Sequence, residues 1–433
     1  MRQVDRREFL GAVMKPAAAA WTVAMLNPAG MSRALGAVAG MRGRPEDIAR
    51  DESFWFEIQQ AYTADRSLVN LNNGGVSPAP AVVQEAMKRY LDYSNTAPVY
   101  SMWKILEPQR EPVRKRLARF FGCDAEEIAL TRNASEGLQI SQNGFDLEEG
   151  DEVLTTTQDY GRMINTFKQR ECRNGIVMKQ FVIPVPAEDD NEIIRLFEQN
   201  ITPKTKLILM CHMINLTGQI LPVKKVVQMA RRRDIPVIVD GAHTFAHFDF
   251  THADLDCDYY ATSLHKWLCA PIGTGMLYVR RDKIADLWPL QAPSECGMDD
   301  IRKYEEIGTH PAANYLAIGD ALTFQQGIGS KNKGARLIYL RDRWAKRLLK
   351  HDRIRLHTSL KSGKGCGIGT VQIEGVDPSD LTKHLWDDYR IIVTPIKHDE
   401  FEGIRVTPHV YTTLEEIDRF ADAMEKVIKE GIG

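Results

Sequence analysis

Two hydrophobic rhythms alternate along this chain, and the places where one gives way to the other predict its elements. Residues 45–65 carry apolar positions at helical spacing, and the apolar run 68–71 then leads into Asn72, Asn73, Gly74 and Gly75, a sequence suited to a turn. Helical periodicity resumes over 83–121 and stops at Phe120, Phe121 and Gly122, where the glycine is placed as a helix C-cap. Beyond it, short apolar runs at 127–131, 152–156, 176–183, 207–211, 236–239, 259–262 and 276–279 alternate with helical patterns. Runs of that length, separated by helix-sized connections, predict a buried α/β sheet of parallel or mixed strands with crossover helices. A long helix is expected from near Pro311 past Gln325, a second over about 335–350, and from Ile354 onward the strands and helices of a smaller α+β domain. The expected divisions are a leader over 1–40, an arm over 41–75, a large domain over 76–310 and a small C-terminal domain over 311–433.

Composition narrows the function classes. With 433 residues, 43% of them hydrophobic and 26% charged, the chain can bury a large core in more than one domain. Lysine and arginine number 56 against 58 acidic residues, and a net charge of -2 provides no general field for nucleic acid or an anionic membrane. The run Arg231, Arg232 and Arg233 sits at the end of an amphipathic stretch, where cations complement a helix C-terminus. Seven cysteines, an odd number with no C-x-x-C pair, argue against a disulfide framework and against metal-ligand spacing. Cys211 and Cys269 lie in apolar runs and read as small core residues. Arg6 and Arg7, followed by an alanine-rich apolar stretch over 11–26, resemble a bacterial twin-arginine signal. That stretch is interrupted by Lys15 and Pro16 and is too short for a stable membrane anchor, and Ala37, Val38 and Ala39 offer small residues for cleavage. The expectation is export through the twin-arginine machinery, already folded, to the periplasm or beyond.

In open α/β sheets ligands bind past the carboxyl ends of the strands, so the polar residues there carry the chemistry. One strand end runs Leu130, Thr131, Arg132, Asn133, Ala134, Ser135, Glu136, Gly137, opening a helix whose free N–H groups can cradle a phosphate, or serve simply as an N-cap. A second places Asp240 directly after a buried strand, followed by Gly241, Ala242 and His243. A carboxylate there is costly to bury without a cationic partner such as a protonated pyridine ring, although a helix-capping turn is the plainer alternative. A third runs Ser263, Leu264, His265, Lys266, Trp267 and on to Gly273, Thr274, Gly275. Lys266 has apolar flanks, and burial would push it towards the nucleophilic neutral amine. The fourth runs His212, Met213, Ile214, Asn215, Leu216, Thr217, Gly218, which by itself reads as a turn.

These motifs, in this order over about 68–422, resemble the class V aminotransferases, and within them the isopenicillin-N-epimerase-like branch. The resemblance implies a fold type I, aspartate-aminotransferase-like large domain with a mainly parallel seven-stranded sheet, a smaller α+β domain, and pyridoxal 5'-phosphate as cofactor. It implies that Lys266 forms the internal aldimine, that Asp240 keeps the ring nitrogen protonated, and that His243 lies near the ring hydroxyl. Ala134, Ser135, Ser263 and His265 would hold the phosphate, and Tyr160 would stack on the ring. Thr309 would reach the phosphate of a neighbouring subunit in a homodimer with shared sites. Arg405, helped by Asn215, would bind the substrate carboxylate as a planar fork, and Asn73, Trp103 and Arg162 would set side-chain preference. Cysteine desulfurases of this family use a cysteine on a loop before that arginine, and residues 391–405 contain none, while Cys366 falls too early. An aminotransferase acting on an amino acid is the first expectation, an epimerase or C–S/β-lyase the second, and a non-catalytic cofactor-binding protein the third; fold alone does not separate these reactions.

Overall fold

The structure, a computed structural model, describes residues 43–293 and 298–432. The expected leader over 1–40, including Arg6 and Arg7, lies outside the described residues.

The arm begins with two short helices, α1 (Pro45–Ile48) and α2 (Glu52–Gln59). The single helix read over 45–65 is interrupted because Asp51 takes up the amides of Ser53 and Phe54 and restarts the helix as an N-cap. Strand β1 (Val69–Asn70) follows, then α3 (Ala81–Ser94) and α4 (Arg110–Phe121). The periodic stretch over 83–121 is therefore two helices, joined through a π-helical turn over Ser101–Leu106. Gly122 does cap the second one, at φ 83°.

The large sheet is laid down next, in an alternation of strands and helices: β2 (Ile128–Thr131), α5 (Ala134–Gly144), β3 (Glu152–Thr156), α6 (Gly161–Asn174), β4 (Val177–Phe181), α7 (Asp190–Asn200), β5 (Thr205–Cys211), α8 (Val223–Arg231), β6 (Val237–Asp240), β7 (Tyr259–Ser263) and β8 (Gly275–Val279). Its order is β2-β8-β7-β6-β5-β3-β4, seven strands as expected. The five strands from β7 to β4 in that order are parallel, and β8 alone runs antiparallel between β2 and β7. Every residue of β6, β7 and β8 is buried, which is why these strands read as continuous apolar runs.

After the sheet come α9 (Ala312–Ile328) and α10 (Ser330–Leu348). The small domain then supplies β9 (Ile354–Leu356), β10 (Gly369–Ile373), α11 (Pro378–Tyr389), β11 (Ile391–Ile392), β12 (Thr394–Lys397), β13 (Glu402–Val406) and α12 (Leu414–Glu430). Its four-stranded sheet has the order β12-β13-β10-β9, all antiparallel.

Packing divides the chain differently from the sequence pattern in two places. Helix α9, read as the start of the small domain, contributes Ala312, Tyr315, Leu316 and Ile318 to the core that α3, α4 and the large sheet share. The arm, in turn, is stitched to the small domain: β1 pairs in parallel with β11, and Val69 and Leu71 enter that domain's core. This stitching carries Asn72 to Gly75 into the groove between the two domains.

Candidate active site

The carboxyl ends of β2, β3, β6 and β7 converge on one cleft of about 200 Å³, lined among others by Ala134, Ser135, Tyr160, Asp240, Ser263, His265 and Lys266. All of these were expected at the site from the sequence. Asp240 ends β6 and is buried, and its carboxylate has one hydrogen-bond partner among the described residues, the amide of Ala242, 2.9 Å from Oδ1. Burial pushes its carboxyl up to about 6, against the pull of that amide and of Lys266. A buried carboxylate with so little compensation suits a cationic ring nitrogen.

Lys266 follows the end of β7, and burial brings its amine down to about 8; Asp240 opposes the shift and Arg405 adds to it. The amine lies 3.2 Å from His243 Nε2. His243 itself is held well below its ordinary range by burial and by the neighbouring cations Lys266 and Arg405. The amine is therefore far easier to deprotonate than an ordinary lysine, and a nucleophilic neutral fraction is present near physiological pH.

At the other end of the cleft, the first turn of α5 offers its amides. Asn133 Oδ1 accepts from Glu136 N at 2.9 Å, and Ser263 Oγ accepts from Ala134 N at 3.0 Å. The amide and hydroxyl of Ser135 are engaged by none of the described residues. His265 donates through Nδ1 to the Thr274 carbonyl at 3.1 Å, which leaves Nε2 free. A Cβ on Gly275 would stand 2.6 Å from the Asn133 backbone, so only glycine lets β8 approach this turn. Open helix-end donors beside a serine and a histidine fit a phosphate.

Tyr160 caps α6 and lines the cleft. The turn before it is tied down by the buried Asp159, whose Oδ2 accepts from the Thr155 hydroxyl, the Thr156 hydroxyl and the Thr156 amide, each at 2.8 Å, and whose Oδ1 accepts from Cys211 N at 2.7 Å. One carboxylate thus joins the ends of β3 and β5 beneath the tyrosine.

Arg405 reaches towards this cleft from β13. It donates to Asn72 Oδ1 at 3.0 Å, to the Asn215 carbonyl at 3.1 Å and to Thr394 Oγ1 at 3.4 Å, and its Nε is buried without a partner. No carboxylate among the described residues pairs with it, and burial lowers it to about 10. Asn215 Oδ1 is likewise buried and unpartnered. A buried guanidinium without a counter-ion is costly alone and fits an incoming carboxylate.

Two expectations, those for Asn73 and Trp103, are placed differently. Asn73 is fully buried and consumed internally: its amide donates to the carbonyls of Asn70 and Thr407, and its oxygen accepts from Tyr411 at 2.6 Å. The asparagine that touches Arg405 is its neighbour Asn72, because turn geometry sends adjacent side chains in different directions. Thr309 is exposed on a loop and is not part of this chain's cleft, and Trp103, at 49% exposed, does not line it either. Arg162 does line it. Sequence reading missed Asn72 and Thr394, whose only signal was position beside a glycine turn and a strand start. Of the cysteines, Cys211, Cys257, Cys269 and Cys366 are buried and have thiols raised by burial, Cys366 to about 12. None is presented as a nucleophile.

A mainly parallel sheet with a lysine, an aspartate and a helix-end anion cradle at its carboxyl edge defines the class of fold type I pyridoxal-phosphate enzymes. The family model "Aminotransferase class-V" matches residues 69–420, and the chain belongs to that pyridoxal-phosphate-dependent family. Among curated relatives, isopenicillin N epimerase of Streptomyces clavuligerus is 28% identical over 394 residues, covering 87% of this chain and 99% of that protein. A probable cysteine desulfurase of Halalkalibacterium halodurans is 28% identical over 397 residues, covering 84% and 94%. Among solved structures, the apo cysteine desulfurase of Thermococcus onnurineus superposes with a TM-score of 0.75 at 22% identity, covering 90% of this chain and 99% of that one. The cystine C–S lyase C-DES in complex with cysteine persulfide gives 0.74 at 23%, covering 82% and 97%. At those identities the structures speak for the fold.

Proposed function

We propose that this enzyme labilises the α-proton of an amino acid whose carboxylate is bound by Arg405, with transamination as the outcome. The observation that carries the reading is the buried, carboxylate-free Arg405 near Lys266, whose proton affinity burial lowers. When bound, pyridoxal phosphate supplies an electron sink for the pair left at the α-carbon. Ser135, Ser263, His265 and the first turn of α5 bind its phosphate, and Asp240 holds a proton at the ring nitrogen. Arg405 orients the substrate through a two-point contact, and Asn72, Asn215 and Thr394 keep the guanidinium in place. With the cofactor bound, Lys266 would take the α-proton and deliver it, on the same face, to the carbon of the cofactor rather than back to the substrate. Transamination needs only that one proton carrier.

Epimerisation needs a second proton carrier on the opposite face. Tyr160 is the hydroxyl in the cleft wall that could supply it, and kinship with isopenicillin N epimerases supports this second reading. A persulfide-forming desulfurase has no support from residues 391–405, which hold no cysteine. The proposal extends to a homodimer, in which Thr309 would complete the neighbouring site, and to export through the twin-arginine route.

Single-turnover spectroscopy with a panel of L- and D-amino acids, with products followed by NMR, tests the reading. Release of a keto acid with formation of pyridoxamine phosphate supports transamination. Exchange of the α-proton with inversion, and no pyridoxamine phosphate, moves the assignment to epimerisation; elimination moves it to a lyase.

A further inference from the structure

Trp267 follows Lys266 directly, and its side chain is wholly buried. An indole N–H can only donate. That of Trp267 is directed at His243 Nδ1, 3.4 Å away, while the opposite ring nitrogen, Nε2, faces the Lys266 amine at 3.2 Å. A neutral imidazole carries one proton, and an Nδ1 that accepts from the indole leaves that proton on Nε2.

We infer that Trp267 is a positioning residue that locks His243 in the tautomer protonated at Nε2, so that His243 presents a hydrogen-bond donor beside Lys266. The inference rests on the reading of this cleft as the cofactor site, where such a donor would meet an oxygen of the cofactor ring.

The indole is itself held by its neighbours. His247 stacks on it at 3.6 Å between centroids and 9° between planes, and His409 lies nearly parallel to it at 5.5 Å and 17°. The Trp267 carbonyl accepts from the buried Lys333, whose amine also donates to Gln325 Oε1 at 2.9 Å. Both nitrogens of His247 are committed: Nδ1 donates to the His243 carbonyl at 2.7 Å, and Nε2 accepts from the Gly367 amide at 2.9 Å. The backbone and the ring of His243 are thus both fixed from below. Phenylalanine would fill most of the same space without the N–H, so tryptophan contributes direction as well as volume.

The tautomer has a consequence for Lys266. A donor at Nε2 is satisfied by a neutral amine and opposed by an ammonium group. Asp240 attracts the lysine's positive charge and Arg405 repels it, with His265 and the Cys211 thiol alongside. The tautomer therefore adds to Arg405 and burial in favouring the neutral form.

Histidine-selective 15N NMR of the cofactor-free protein, with His243 assigned through His243→Gln, tests this directly. The expected spectrum has His243 protonated at Nε2 in the wild type and mainly at Nδ1 in Trp267→Phe. The second readout is the proton affinity of Lys266, from the pH dependence of its trace acylation followed by peptide mass spectrometry. It is expected to rise about tenfold in Trp267→Phe, the size of one hydrogen bond gained by the ammonium form. A wild-type His243 protonated at Nδ1 overturns the inference, as does a variant in which tautomer and proton affinity are both unchanged. The wild-type spectrum decides even where the variant does not fold. Neither readout needs substrate turnover, so a failure here is distinct from a failure of the transamination reading.

Discussion

Arg405 and Lys266 are cations that the fold buries and leaves without an acidic partner in contact, and each makes a sharp prediction. Lysine at 405 keeps the charge but loses the planar fork that Asn72 and Asn215 hold in place. Arg405→Lys should raise KM for the amino acid about ten- to a hundredfold, the loss of roughly one charged hydrogen bond, with a smaller change in kcat. Steady-state kinetics on the identified substrate checks it. For Lys266 the sign follows from its depression from 10.5 to about 8. Between those two values the unfolded chain holds a proton that the folded, cofactor-free chain has released, so this group's contribution to stability rises as pH climbs through that window. Capture of pyridoxal phosphate needs the neutral amine. Its rate should rise about tenfold per pH unit below pH 8 and level off above it, as read by stopped-flow absorbance. A flat profile from pH 6 to about 9 would contradict a lysine of this kind. Lys266 and Asp240 were legible at this scale because each stands next to a buried run. The partners of Arg405 were not, because Asn72 and Thr394 meet it only through the pairing of the arm with the small domain.

At the scale of elements, the strands were the most legible part of the chain. Burial on both faces makes β5 to β8 predominantly apolar, and that pattern survives any uncertainty about neighbours. The helices were less so. Periodicity over 83–121 ran through a break that begins after Ser94 and includes the π-helical turn at Ser101–Leu106, and Asp51 divided the first helix by capping its second half. Gly122 was read correctly because the left-handed conformation at a helix end favours glycine. Gly122→Ala should cost about 1 kcal/mol of stability from that conformation, φ 83° here. A Cβ would also press on Thr251 at 3.2 Å. Denaturant unfolding measures the loss, and cofactor absorption should be unchanged, since neither Gly122 nor Thr251 is among the residues that line the cleft.

At the scale of the whole molecule, the two domains meet over the Tyr160 turn. Glu400, on the hairpin between β12 and β13, accepts from the Thr157 hydroxyl and from Gln158 Nε2 at 2.6 Å, and His398 Nε2 donates to the Thr157 carbonyl at 3.0 Å. The hairpin thus clamps the turn that carries Tyr160. Glu400→Ala should speed amide exchange over 157–160 about tenfold, the equivalent of roughly one hydrogen bond, while exchange in β6 and β7 stays as it was. Exchange that is equally fast everywhere would mean general destabilisation instead. The whole chain also carries the export proposal. With Arg6 and Arg7 exchanged for lysines, fractionation should find the folded enzyme retained in the cytoplasm, and unaltered export would refute the twin-arginine reading.

Alone, the sequence determined the order of strands and helices, the buried sheet, and the residues Asp240, Ser263 and Lys266 at its carboxyl edge, since each of these is written in local periodicity or in a polar residue next to an apolar run. Tertiary structure decided that α9 belongs to the large core, that Asn72 rather than Asn73 faces Arg405, and that Trp267 turns its N–H to His243. Those outcomes depend on which surfaces meet across hundreds of residues, and no local pattern encodes the direction of a side chain at such a meeting.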